Sequence, residues 1–72
     1  MGYVQARGER RRAVILGYLR AAQRDNRPVP TVREIAIYAR CSVATAHRHL
    51  QVLAQQGMIH SLPREARTIR VL

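Results

Sequence analysis

Lysine, phenylalanine and tryptophan are absent from this 72-residue chain, which holds one cysteine, three tyrosines and four acidic residues. Each scarcity excludes something. A single cysteine cannot form an internal disulfide, so helix packing must hold the fold. An unpaired thiol also suits a reducing compartment. So few aromatics leave little for stacking unpaired bases, which argues against an RNA reader. The acids are scattered and no nucleophile has an evident base partner, so catalysis has no support. A chain this short also has little room for a closed substrate pocket. No apolar run nears the ~18 residues that span a bilayer; Ala13 to Leu16 is typical. The N-terminus lacks the apolar stretch of a signal peptide. These absences lead us to expect a soluble cytoplasmic protein, not an enzyme, with no cofactor and no membrane partner.

Arginine is what the chain has in excess. Thirteen basic residues, all arginine, face four acids and give a formal net charge of +9. Such an imbalance repels itself, and a domain this small buries only about 60% of its unfolded surface, so its stability margin is narrow. The charge makes most sense opposite a polyanion. The guanidinium fork suits phosphates and guanine edges. A GC-rich genome would enrich arginine codons equally well, and plain solubility also needs charge.

Met1 to Gly8 shows no periodicity and reads as a flexible basic arm (residues 1–8), ahead of a folded domain at 9–72. From Glu9 to about Gln23 the pattern is helical, with Ile15, Tyr18, Leu19 and Ala22 on one stripe. Gly17 interrupts that helix, where it would admit a close neighbour. Asn26 suits a left-handed cap, and Pro28 and Pro30 extend the linker. Thr31 and Glu34 form a capping box for a second helix, with Val32, Ile35, Ala36 and Ala39 as its apolar side. Ser42 caps a third helix that closes at Gly57. Ala46, Leu50 and Leu53 form its inner stripe. At about 100° per residue, Ala44, Arg48, Gln51 and Gln55 point the other way. Met58 to Leu62 and Arg67 to Leu72 read as strands joined by a turn at Pro63-Arg64-Glu65-Ala66. The predicted fold is mainly α with a small β hairpin, a three-helix winged helix-turn-helix.

Two short helices, a tight turn at Ala39-Arg40-Cys41-Ser42 and a polar basic face on the second helix describe a reading head for double-stranded DNA. The motifs Pro30-Thr31, Arg33-Glu34-Ile35-Ala36, His49-Leu50, Gly57-Met58-Ile59 and Arg67-Thr68-Ile69-Arg70-Val71-Leu72 carry a resemblance. Over residues 9 to 72 the chain resembles the N-terminal DNA-binding domain of LexA-type repressors. Two departures stand out. Gly8-Glu9 replaces the threonine cap usual before the first helix. Arg40 occupies the turn position where glycine is common, and arginine is strained there if the backbone takes positive φ. The resemblance also implies a C-terminal serine–lysine peptidase half that dimerises such repressors. With no lysine here, that dyad is excluded from these residues; a stand-alone reader and a fragment of a longer protein both fit.

The candidate base contacts are Ser42, Ala44, Thr45, His47, Arg48 and Gln51. Arg48 can address guanine O6 and N7, Gln51 adenine, and Ala44 or the Thr45 methyl a thymine methyl. The resemblance implies contacts at Ser42, Ala44, Thr45, His47 and Arg48. The candidate phosphate contacts are Arg10, Arg11, Arg12, Arg33, Arg64 and Arg67, with Thr31 at a helix N-terminus. Neutralising ~5 phosphates would give a slope near −4.5 of log K against log salt. His47 and His49 lie about 200° apart on the helix and cannot share an ion. Cys41 and His60 add no ligand spacing, so no metal is expected. His49 should donate a structural hydrogen bond beside the core. The expected function is a nucleoid-associated transcriptional regulator, a LexA-like repressor, working as a homodimer on a palindromic operator or as a monomer. A winged-helix protein-interaction module without sequence-specific DNA binding is the alternative.

Overall fold

The computed structural model describes the backbone of residues 2–60 and 68–72 and the side chains of residues 8–60 and 68–72. Three helices lead into a two-stranded antiparallel sheet: α1 (Gly2–Arg24), α2 (Val32–Ala39), α3 (Val43–Gln55), β1 (Ile59–His60) and β2 (Arg70–Val71). Ile59 pairs with Val71 and His60 with Arg70. This is the expected winged helix-turn-helix architecture, with Met58, Thr68, Ile69 and Leu72 outside the strands. The turn expected at Pro63–Ala66 lies outside the described residues.

All three helices end by the same device, a residue in the left-handed region whose neighbours bond back to the last turn. In α1 the residue is Asn26 (φ 55), with Arg27 N–H donating to Ala22 C=O at 2.9 Å. In α2 it is Arg40 (φ 56), with Cys41 N–H donating to Ala36 C=O at 3.0 Å. In α3 it is Gly57 (φ 74), with Met58 N–H donating to Leu53 C=O at 2.9 Å. Glycine adopts this conformation without cost; arginine does not. The tight turn is therefore kept despite Arg40, and the strain falls on that residue.

The core draws on every element. Ile15, Leu16 and Leu19 of α1 meet Ile35 and Ala36 of α2, Ala46, Leu50 and Leu53 of α3, and Ile59 and Ile69 beside the sheet. Tyr18, expected on the inner stripe, is half-buried; its ring stacks on Tyr38 at 4.0 Å between centroids and 9° between planes. Tyr18 packs against the core as expected, and Leu16 is buried within that core.

Two expectations about α1 change. The helix starts at Gly2 rather than at Glu9, so it takes in residues 2–8. Once a helix is nucleated each added residue gains a hydrogen bond, and Gln5, Ala6 and Arg7 are good formers, so Gly8 does not stop it. Gly17 admits no neighbour: it is exposed, and a Cβ there would meet nothing within 4 Å.

Candidate nucleic-acid interface

α3 begins at Ser42, whose Oγ accepts from the Thr45 amide at 3.0 Å and donates to Thr45 Oγ1 at 2.9 Å. That cap fixes the entry of the helix and half-buries Thr45, leaving its methyl group as the part best suited to an apolar contact. Ala46, His49, Leu50 and Leu53 are buried on the inner side. Ser42, Ala44, His47, Arg48 and Gln51 are all exposed. The helix thus presents one polar outer strip on a rod whose inner strip is locked into the core. Val43, 43% exposed at the start of α3, is an apolar side chain at this surface that the sequence pattern did not single out.

α2 presents its N-terminal end. The Thr31 amide donates to Glu34 Oε1 at 2.8 Å, and Thr31 Oγ1 accepts from the Glu34 amide at 3.2 Å. The capping box expected from Thr31 and Glu34 is formed. It commits Thr31's amide to a carboxylate, so an incoming phosphate would meet the remaining first-turn amides and Arg33, which is exposed. Arg10 and Arg11 are exposed on α1. Arg64 and Arg67 lie outside the described residues.

Arg12 behaves differently. It is half-buried, and its Nη1 lies 3.5 Å from His49 Nδ1, at the long limit of a hydrogen bond. A guanidinium has only donors, so His49 accepts at Nδ1 rather than donating as the sequence suggested, and its proton sits on Nε2. Burial, then the nearby charges of Arg12, Arg11 and Arg48, hold the His49 pKa below its ordinary 6.5. His49 is therefore a neutral acceptor at pH 7. Gly8 passes beside this pair, where a Cβ would sit 3.4 Å from Arg12 Nη1 and 3.9 Å from His49 Cε1. Arg11 and Arg12 of α1 and Arg48 of α3 thus surround His49 with positive charge.

Among the described residues no three His, Cys, Asp or Glu side chains gather where they could hold a metal ion. No helix among them is long and apolar enough to cross a membrane. Cys41 is free and half-buried. Arg40, which the sequence marked only as a strained turn residue, is exposed and lies with Arg10 and Arg11 around a cleft also lined by Val14, Tyr38 and Ala39.

The family described as "LexA DNA binding domain" matches residues 7–68. No curated protein and no solved structure matches the chain.

Proposed function

The chain belongs to the LexA DNA binding domain family, and from that premise we propose that it is a sequence-specific transcriptional regulator, a repressor that occupies an operator and excludes polymerase. The carrying observation is the outer strip of α3, exposed and polar on a helix whose inner side is fixed by Ala46, Leu50 and Leu53. A helix so held keeps its shape as it enters the major groove.

In this reading Arg48 donates two bonds to guanine O6 and N7, and Gln51 addresses adenine. Ala44 and the Thr45 methyl meet thymine methyls, and Ser42 and His47 complete the set. Arg33 and the Thr31 end of α2 meet one stretch of backbone. Arg10, Arg11 and Arg12 meet another, and Arg64 and Arg67 of the wing a third. Two chains on a palindromic operator would double the contacts, and the protein would work on the nucleoid in the cytoplasm. Selection of bound duplexes from a random pool tests all of this. One enriched motif, with a half-site spacing set by protein symmetry, is the expected result. An unenriched pool would reduce the protein to a nonspecific binder.

An exposed apolar pair favours the alternative of a protein-interaction module: Ile37 is 72% and Tyr38 54% exposed. Both lie on α2, not on the outer strip of α3. Under that alternative Arg48→Ala leaves DNA affinity unchanged.

A further inference from the structure

Arg40 is held where arginine is costly. Its backbone sits at φ 56, ψ 50, in the left-handed region, and its side chain is exposed. For a residue other than glycine that conformation is sterically unfavourable. Strained backbone of this kind tends to persist where a function uses it. Among the described residues no hydrogen bond or ion pair holds the Arg40 guanidinium. Arg10 and Arg11 of α1 stand with it around one open cleft. Among the described residues no acid lines that cleft; Val14, Tyr38 and Ala39 complete its lining. Tyr38 is fixed there by its stack on Tyr18 and is 54% exposed. Three like charges from two parts of the chain repel one another unless an anion lies between them.

The geometry points to this cleft as a cradle for one phosphodiester of the DNA backbone, with Arg40 as a contact beyond those already assigned. This rests on the DNA-reading function proposed above and extends it. Arg40 lies two residues before Ser42, the N-cap of α3, so the cleft flanks the end of the helix that leads into the major groove. The strand bordering that groove passes beside it. Arg10, Arg11 and Arg40 supply charge-assisted donors, and the Tyr38 hydroxyl supplies a neutral one. The strain at Arg40 then has a use, because glycine would give the turn and forfeit the contact.

Arg40→Gly makes the test, since the two effects run in opposite directions. Relief of the left-handed strain raises the thermal midpoint by about 4 °C or more. Loss of one phosphate contact makes the salt slope of log K shallower by ~0.9, which is about an eightfold loss of affinity at 0.1 M salt. Misfolding cannot imitate that pair of results. Arg40→Lys keeps the charge and should keep the slope. An Arg40→Gly protein that is more stable and binds the selected duplex with unchanged slope and affinity overturns the assignment. A wild-type protein with no salt-dependent duplex binding at all defeats the DNA-reading function itself, and the cradle with it.

Discussion

Replacing Gln23 with alanine should destabilise the fold more than its exposed position on α1 suggests. Its Oε1 accepts from Val71 N–H at 3.0 Å, and its Nε2 donates to Val71 C=O at 3.3 Å. Val71 is paired with Ile59, but the bond to β1 comes from the next residue, Leu72 N–H to Met58 C=O at 3.0 Å. Both polar groups of Val71 therefore point away from β1, and the Gln23 amide stands where a third strand would. It ties the end of α1 to the strand that closes the wing. A net hydrogen bond contributes ~0.5–1.5 kcal/mol, so two partly hydrated ones give ~1–2 kcal/mol. At ~4–8 °C per kcal/mol for a domain of this size, Gln23→Ala lowers the thermal midpoint by about 4–16 °C. Gln23→Glu keeps the acceptor, loses the donor and falls between. Thermal unfolding followed by circular dichroism at pH 7.5 is sufficient. A midpoint for Gln23→Ala within about 2 °C of wild type would mean that water satisfies Val71 as well as Gln23 does, and that this tie adds nothing to stability.

Acidification should act through His49. Its folded pKa lies below 6.5, so the folded state binds fewer protons than the unfolded chain. The resulting stability is fully present above pH 6.5 and is lost as pH falls below that value toward the folded pKa. Urea midpoints measured from pH 8 to 5 should decline in that window for wild type. They should decline less for His49→Gln, and parallel curves would remove His49 as the cause. Arg48→Ala should cost ~1–3 kcal/mol of discrimination at one base pair of the selected site, read by competition among single-base variants. An equal loss across all variants would place Arg48 on the backbone instead.

The parts of the fold encoded within four residues were legible in the sequence. The Thr31–Glu34 box, the Ser42 cap and the left-handed residues Asn26 and Gly57 all sit where the local pattern put them. Each is decided by a side chain and an amide one turn away. The inner strip of α3 was legible for a similar reason, since helical spacing fixes which residues share a side. What escaped depended on distant partners. Gln23 meets Val71, 48 residues on, and Arg12 meets His49, 37 residues on. Nothing near either residue announces the pairing. The start of α1 was missed because Gly8 is a weak local breaker that helix propagation overrides. Of the candidate site, the outer strip of α3 could be read in advance. The Arg10–Arg11–Arg40 cleft could not, because only the packing of α1 against the end of α2 creates it.

Backbone amide shifts of the labelled protein, followed while a duplex from the random-pool selection is added, show whether α3 is the element that meets DNA. The largest changes should run along α3 from Ser42 to Gln51, with the buried Ile15 and Leu19 of α1 little affected. Changes spread over the rest of the surface, with Ala44, His47, Arg48 and Gln51 unmoved, would contradict that expectation.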